Sequence, residues 1–167
     1  PPGYSLLVGF NPNSGGRWNQ EDSDRLYGYS DQPGATAQWT QEQLLTDAEA
    51  RILSGEIDFS KLLKQKLRTF LGSDDACVGY SASVLRHTEF FSLLCNGFYY
   101  AAFLLATGGA VQVWRSRERG LLLLAPLYIL GLTLAQMLVE VAGRYHYSMI
   151  PMLLLLGQGT WKRTGEE

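Results

Sequence analysis

Cysteine and histidine are scarce in this 167-residue chain, which has two of each. Cys77 lies in a polar stretch and Cys95 in an apolar one, so a bridge would take one of them out of its environment. We therefore expect both to be free thiols. His87 and His146 lack the tight spacing of a metal-binding cluster, and neither a Walker-type loop nor a GxGxxG stretch occurs. The sequence therefore gives no indication of a metal or nucleotide site.

Charged residues are absent from two long windows. From Phe90 to Trp114 the strongly polar residues are Asn96 and Gln112, and from Leu121 to Val139 the only one is Gln136. Each window is long enough to cross about 30 Å of hydrocarbon at about 1.5 Å per residue. The alternative is a buried helical hairpin in a soluble protein, but two neighbouring windows of this length favour transmembrane helices.

A third apolar window, from Ser148 to Trp161, is shorter and spans only if its flanking aromatic and basic residues lie at the interfaces. We therefore predict two to three transmembrane helices. Basic residues lie between the first two windows and after the third: Arg115, Arg117, Arg119, Lys162 and Arg163. The positive-inside rule places those ends in the cytoplasm, so the N-terminal half is expected on the outer face.

The chain is expected to have two parts, although its net charge of -2 and mean hydropathy near zero resemble those of a soluble domain. Residues 1–86 are polar and acidic, and they are predicted to form an extracytoplasmic, α-rich loop domain. Residues 87–167 are predicted to be a polytopic helical membrane segment with a short cytoplasmic tail, so the fold class is mainly α. Because the chain starts at Pro1 without a leader, we expect it to be the C-terminal part of a longer multi-pass cell-membrane protein.

Local patterns predict the elements of the first part. The apolar run Tyr4 to Phe10 suits a buried strand, and residues 11–39, rich in turn formers, suit a loop. Thr40, with Gln43 three residues on, is a plausible N-cap of a helix that ends at Gly55. A second helix is expected to begin after Asp58 and to end at Gly72, followed by a polar hinge over residues 73–86.

The second of these helices carries a basic face: Lys61, Lys64, Lys66 and Arg68. We interpret it as the solvated face of an amphipathic helix, and a helix lying on anionic headgroups is the alternative. A nucleic-acid partner is not expected, because the region is acidic as a whole and no aromatic residues are interleaved with the basic ones.

The strongest candidate site is the polar stretch between the second and third windows. It contains Glu140, Arg144, Tyr145, His146 and Tyr147. Charge beside apolar segments is costly unless it lies at the interface or lines a polar cavity, so this group predicts a binding site for an anionic ligand. The alternative is structural: an Arg144 and Glu140 pair, one turn apart if the helix continues, fixes the helix end while the tyrosines anchor it.

A second candidate group is Arg17, Trp18, Asn19 and Asp22. An indole beside amide and carboxylate groups suits the face and hydroxyls of a sugar or acceptor. The same residues could instead pin an outer loop against its domain. Glu21 and Asp22 are not expected to be a catalytic acid pair, because adjacent loop residues do not naturally flank one bond.

Three segments together resemble bacterial polytopic glycosyltransferases of the GT-C class, in particular those related to protein O-mannosyltransferases and aminoarabinose lipid A transferases. The segments are VGFNPNSGGRWNQED, KLLKQKLRTFLGSDD and EVAGRYHYSMIP. The likeness covers most of the chain, as the C-terminal portion of such an enzyme, and RYHYSMIP is its most specific part.

The resemblance implies transfer of a sugar from a polyprenyl-phosphate donor to an acceptor on the outer face of the membrane. The acidic residue that acts as base or metal ligand belongs to a first outer loop in the N-terminal half, which this chain lacks. We therefore expect no cofactor here, a possible divalent metal in the complete enzyme, and an inactive fragment that supplies the donor-binding wall.

Arg144 suits the donor phosphate, since a guanidinium can bind two oxygens of a phosphate leaving group as its charge grows. Tyr145, His146 and Tyr147 can donate hydrogen bonds to phosphate or sugar. The alternatives are a transporter or accessory subunit that binds an anion, and an O-antigen-type polymerase or ligase that uses a similar arginine for a lipid diphosphate.

Overall fold

The computed structural model describes residues 2–116 and 123–161, which are mainly helical and contain no strand, as the predicted fold class requires. The helices are α1 (Pro2–Gly9), α2 (Gln20–Ser30), α3 (Ala37–Leu53), α4 (Phe59–Leu71), α5 (Ala76–Tyr80), α6 (Thr88–Ser116), α7 (Leu124–Leu138), a 3₁₀ helix (Gly143–Met149) and α8 (Ile150–Trp161). Arg117, Arg119, Lys162 and Arg163, on which the predicted orientation depends, lie outside the described residues, as does the start of the second apolar window.

Two predictions for the N-terminal part are wrong. The run Tyr4 to Phe10 lies largely in helix α1 and is not a strand, because an apolar run this short fits a buried helix equally well. Residues 11–39 are not all loop, since α2 lies within them. Asn19 caps α2 by accepting a hydrogen bond of 2.9 Å from the Asp22 amide.

The two amphipathic helices lie where the pattern predicts, apart from one cap. The N-cap of α3 is Thr36, which accepts from the Trp39 amide at 3.2 Å, whereas Thr40 lies buried inside the helix. The helix ends before Gly55, whose φ of 74° is in the left-handed region that glycine favours. Helix α4 begins directly after Asp58, whose side chain accepts from the Lys61 amide at 3.0 Å.

The chain divides into two compact units. The first contains the described residues up to Phe70 together with Leu134–Ala142, and the second contains the rest. In the first unit α1 and α2 pack on α3 around a core of Leu7, Leu44 and Ala48. The backbone after α7 is bonded into the same unit, since the Glu140 amide donates to the Ser5 carbonyl at 2.8 Å. The division predicted at residue 86 concerns membrane topology and stays a prediction.

The second unit is built on helices α6 and α8, which pack along each other. Its core contains Tyr99, Ala106, Val113, Ala125, Leu153 and Leu156. Gly109 lets the two backbones approach closely, because a Cβ at this position would lie 2.0 Å from the Leu156 carbonyl oxygen. Small residues at such a contact are typical of helices that associate in membranes.

Among the described helices, α6 alone is long and apolar enough to cross a membrane, over Thr88–Arg115. Large apolar side chains on it are exposed: Phe90, Phe91, Leu93, Leu94, Phe98 and Leu104. Helices α7, with 15 residues, and α8, with 12, are apolar but shorter. The structure thus supports membrane association through α6, and the predicted number of spans stays a prediction.

Candidate functional site

Four of the five strongest candidate residues lie together on the 3₁₀ helix: Arg144, Tyr145, His146 and Tyr147. Side chains three apart in a 3₁₀ helix share a face, which places His146 and Met149 on one face and Arg144 and Tyr147 on another. His146 and Met149 have no exposed area, whereas Arg144 is exposed and Tyr147 is half-buried. The sequence around RYHY therefore produces one anchoring face and one accessible face.

His146 is the anchor of this segment. Its Nε2 lies 3.1 Å from Oδ1 of Asp74, a residue that the sequence did not single out. The imidazole also contacts the rings of Tyr99 and Tyr147, with centroids 4.8 and 5.0 Å away. The Asp74 amide in turn donates to Oδ1 of Asn96 on α6 at 2.7 Å. Because His146 is fully enclosed, it positions the segment and does not itself reach a ligand in this structure.

Arg144 lies between two phenol rings. Its guanidinium donates a hydrogen bond to the hydroxyl of Tyr80, at the end of α5, and lies 5.7 Å from the centroid of that ring. It lies 5.3 Å from the ring centroid of Tyr145. Cation–π contact with two rings orients the guanidinium, and the uncharged rings do not neutralise its positive charge. Arg144, Tyr80 and Tyr145 are called the arginine site below.

Tyr147 borders the arginine site. Its hydroxyl oxygen accepts a hydrogen bond of 3.2 Å from the Cys77 amide on α5. Burial is the main cause that raises the pKa of Tyr147 to about 12, with a further contribution from the neighbouring Cys77 side chain. The phenol therefore stays protonated at physiological pH.

Glu140 does not occupy the position that the helical spacing suggested. Helix α7 ends at Leu138, so Glu140 and Arg144 are not one helical turn apart. Glu140 belongs to the first compact unit, where its amide is bonded to the Ser5 carbonyl. The continuous helix that the predicted spacing required is therefore absent, and a role for Glu140 in the site stays a prediction.

The second candidate group separates into an inner pair, in which Asp22 is buried and Asn19 half-buried, and an exposed pair, Arg17 and Trp18. Asp22 has no exposed area, and Asn19 serves as the N-cap that holds it. Trp18, by contrast, is 58% exposed, and Arg17 is exposed with its Nε donating to the Ser14 carbonyl at 3.2 Å. The structure favours the structural alternative for Asn19 and Asp22, and sugar contact stays a prediction for Arg17 and Trp18.

Asp22 is the centre of a buried polar network. Arg51 binds both carboxylate oxygens, at 2.7 and 3.1 Å, and Asn11 and Asn19 donate to Oδ2 at 2.9 and 2.7 Å. Burial raises the pKa of Asp22, but the hydrogen bonds from Arg51, Asn19 and Asn11 outweigh it and hold the pKa below its usual value. Arg51 also donates to the Leu7 carbonyl at 2.6 Å, so the Asp22 network ties α1, α2 and α3 together.

A small polar pocket lies beside this network in the first unit. Its volume is about 210 Å³, and its lining residues are Asn11, Pro12, Asn13, Glu21, Arg51, Ser54, Glu56 and Ile57. Glu21, Arg51 and Glu56 give it charges of both signs. The sequence offered no signal for this pocket, because its lining residues come from three separate stretches of chain.

Lys66 contradicts the prediction of a wholly solvated basic face. Its side chain has no exposed area, and its Nζ donates to the carbonyls of Gly9 at 3.0 Å and Met137 at 2.7 Å. These acceptors lie at the C-terminal ends of α1 and α7, where carbonyl groups lack helical partners. Burial lowers the pKa of Lys66 to about 8. Lys61, Lys64 and Arg68 are exposed, as predicted.

Cys77 and Cys95 are free thiols, as expected. Cys77 is exposed on α5 and Cys95 is half-buried on α6, and these two helices pack against each other.

Within residues 2–116 and 123–161, no three His, Cys, Asp or Glu side chains are grouped as metal ligands would be. No family model, curated protein or solved structure matches the chain.

Proposed function

We propose that this chain is part of a membrane glycosyltransferase that moves a sugar from a polyprenyl-phosphate donor to an acceptor on the outer face of the membrane. In this proposal Arg144 binds the donor phosphate, and the catalytic base belongs to another part of the complete enzyme. One observation carries the proposal: an exposed guanidinium is held by Tyr80 and Tyr145 beside the start of the apolar helix α8.

The arginine site has the properties that a phosphate site requires. A guanidinium stays charged at every physiological pH and presents parallel N–H groups that match two phosphate oxygens. Two aromatic rings restrict the side chain before a ligand arrives, which lowers the entropic cost of binding. As the bond from sugar to phosphate breaks, negative charge grows on the phosphate, and a fixed cation stabilises that growth.

The surroundings of the site suit a lipid-linked ligand. The 3₁₀ helix that carries Arg144 leads directly into α8, and α8 packs along α6, the helix able to cross a membrane. A polyprenyl phosphate needs a cation at headgroup depth and an apolar environment for its chain. Within the second unit, a charged side chain and apolar helices are adjacent in this way.

The buried residues support the accessible ones. His146 is bonded to Asp74 and enclosed by Tyr99, so the segment bearing Arg144 has a fixed inner face. A guanidinium on a rigid support binds more tightly than one on a mobile loop, because less freedom is lost on binding.

The proposal is tested by the affinity of the complete protein for a short-chain polyprenyl phosphate without a sugar. The variants are Arg144→Ala and Arg144→Lys, and the matched control is Arg86→Ala, which removes an exposed guanidinium elsewhere in the second unit. Loss of a charge-assisted hydrogen bond worth about 1.5–3 kcal/mol should weaken binding by roughly 10- to 150-fold in Arg144→Ala, and less in Arg144→Lys. The control should bind like the wild type.

Equal affinity of wild type and Arg144→Ala would refute the donor role, and so would an equal loss in Arg86→Ala. Anion uptake into vesicles that depends on Arg144, without affinity for the lipid phosphate, would favour the transporter instead.

A further inference from the structure

The polar pocket of the first unit is formed where three stretches of chain meet. Its lining residues belong to the loop after α1, the first turn of α2, and the end of α3 with the turn that follows. Its volume of about 210 Å³ is smaller than the roughly 300–1,000 Å³ of pockets that hold drug-sized ligands. The pocket therefore suits one small unit, such as a single ring.

The inner part of the pocket is the Asp22 network. Asn11 is buried and the Arg51 side chain is 16% exposed, and both line the pocket, whereas Asp22 has no exposed area and does not. Arg51 binds Asp22 through its two Nη atoms, and its Nε makes no hydrogen bond to the described residues. The pocket therefore meets the guanidinium side of this ion pair, with Nε as a donor held in place.

Two hydrogen-bonded turns form the outer part of the pocket. In one, Oδ1 of Asn11 accepts from the Asn13 amide at 3.0 Å. In the other, Oγ of Ser54 accepts from the Glu56 amide at 3.2 Å and donates to the Arg51 carbonyl at 2.8 Å. The backbone that carries Asn13 and Glu56 is thus ordered before a ligand arrives, which lowers the entropic cost of binding.

The charges around the pocket disfavour an anionic ligand. Glu21 and Glu56 are exposed carboxylates among the lining residues. Glu21 has only a long ion pair of 3.8 Å with Arg25, and Glu56 has none among the described residues. The positive charge of Arg51 is already balanced by Asp22 at 2.7 Å. A phosphate or carboxylate would therefore meet like charges that no free cation offsets.

The hydrogen-bonding groups favour a neutral hydroxylated ligand over an amine. An ammonium group only donates, so it would leave the N–H groups of Arg51 and Asn13 without an acceptor. A hydroxyl both donates and accepts, so it can bond to a carboxylate and to an N–H group at once. Several hydroxyls on one small ring would use the donors and the acceptors of the pocket together.

We propose that this pocket binds one neutral sugar unit of a glycan, whose hydroxyls donate to Glu21 and Glu56 and accept from Arg51 and Asn13. Ile57, which also lines the pocket, offers apolar surface to the C–H groups of the ring. Sugar binding at this pocket stands independently of the proposed function. The identification of this glycan as the acceptor of the transferred sugar rests on the proposed function.

The first test measures sugar binding without any transfer. The complete protein in lipid nanodiscs is titrated with methyl glycosides of neutral hexoses and pentoses, and binding is followed by saturation-transfer-difference NMR. We expect a neutral glycoside to bind, and Glu21→Gln and Glu56→Gln each to weaken it several-fold, because charge-assisted hydrogen bonds become neutral ones. The matched control is Glu49→Gln, which changes an exposed carboxylate of α3 outside the pocket and should bind like the wild type.

Glycine and methylamine are titrated in the same way as charged probes. Tighter binding of either one than of every glycoside, with loss in Glu56→Gln, would overturn the proposal in favour of a charged ligand. Binding of no glycoside, or equal affinity in the wild type, Glu21→Gln and Glu56→Gln, would also overturn it. Both glutamates are exposed, so these variants should fold like the wild type.

The second test concerns the acceptor. With a short neutral oligosaccharide as acceptor, Glu56→Gln should raise the KM for the acceptor several-fold and leave kcat little changed, and Glu49→Gln should alter neither. Glycoside binding without any change in this KM would overturn the acceptor role. If the wild type binds glycosides but transfers no sugar from a polyprenyl-phosphate donor, the proposed function fails and the sugar site stands.

Discussion

The imidazole of His146 and the carboxylate of Asp74 form a buried pair, with Nε2 3.1 Å from Oδ1, although the two residues are far apart in sequence. This pair holds the 3₁₀ helix to the segment that precedes α5. The accessible residues Arg144 and Tyr147 depend on it for their positions, because they lie on the other faces of the same short helix.

Removal of either partner should therefore destabilise the second unit and weaken donor binding without direct contact to the donor. We expect His146→Ala and Asp74→Ala each to cost about 1–3 kcal/mol, since each leaves a buried polar group unsatisfied. The double variant should cost clearly less than the sum of the two single ones. Denaturant unfolding of the detergent-solubilised protein measures all three values, and strict additivity would show that the pair does not interact.

Lys66 should give stability an unusual pH dependence. Its pKa falls from 10.5 to about 8 on folding, so between these values the unfolded chain binds more protons than the folded one. The free energy of unfolding should therefore rise with pH across this window, by about 3 kcal/mol at about 1.4 kcal/mol per pH unit. The comparison of wild type with Lys66→Met isolates this contribution, and Lys64→Met, which changes an exposed lysine, is the control. A constant difference between wild type and Lys66→Met from pH 7.5 to 10.5 would contradict the account.

Asp22 should behave as a structural residue. Asp22→Asn keeps the shape of the side chain but leaves Arg51 without its charge partner, so we expect a loss of about 3 kcal/mol. Because the pKa of Asp22 is lowered on folding, its contribution is present above the unfolded value of about 3.9 and is lost as the pH falls through the folded value. Thermal unfolding of Asp22→Asn beside Asp24→Asn, which changes an exposed carboxylate of the same helix, measures the difference. If Asp22→Asn has the unfolding temperature of the wild type but transfers sugar to the acceptor more slowly, a binding role becomes the better explanation.

Gly109 should be intolerant of any side chain. A Cβ there would lie 2.0 Å from the Leu156 carbonyl oxygen, whereas one at Gly97 on the same helix would meet nothing within 4 Å. Overpacking costs about 1–3 kcal/mol, so Gly109→Ala should unfold at lower denaturant than wild type. Gly97→Ala should be neutral or slightly stabilising, because alanine is the better helix former. Equal stability of the two variants would show that α6 and α8 do not pack as described.

Periodicity predicted the parts of the fold that local sequence determines. The stripe of Leu44, Ala48 and Ile52 predicts α3, and the long uncharged window from Phe90 predicts α6. The run Tyr4 to Phe10 was misassigned because a mostly apolar run of only seven residues fits a strand or a buried helix alike. Thr40 was misassigned as the cap of α3, because the backbone places Thr36 at the cap position and Thr40 inside the helix.

The candidate site was predictable in part. A guanidinium, an imidazole and two phenols beside an apolar helix mark the 144–147 segment without any structure. Its partners Asp74, Tyr80 and Cys77 come from a distant polar stretch, and no local pattern indicates which of its residues turn towards the segment. The buried state of Lys66 is likewise tertiary, since its neighbours on the same basic face are exposed.

The most direct measurement is sugar transfer itself. Membranes containing the complete protein should move a labelled sugar from a polyprenyl-phosphate donor to an endogenous acceptor, with Arg144→Ala reducing the rate at least tenfold and Arg86→Ala leaving it unchanged. If Arg144→Ala inserts into the membrane normally, as measured by protease protection, the lower rate reflects a loss of transfer and not a loss of insertion. Transfer by Arg144→Ala at the wild-type rate, or no transfer by the wild type from any polyprenyl-phosphate sugar, would contradict the account.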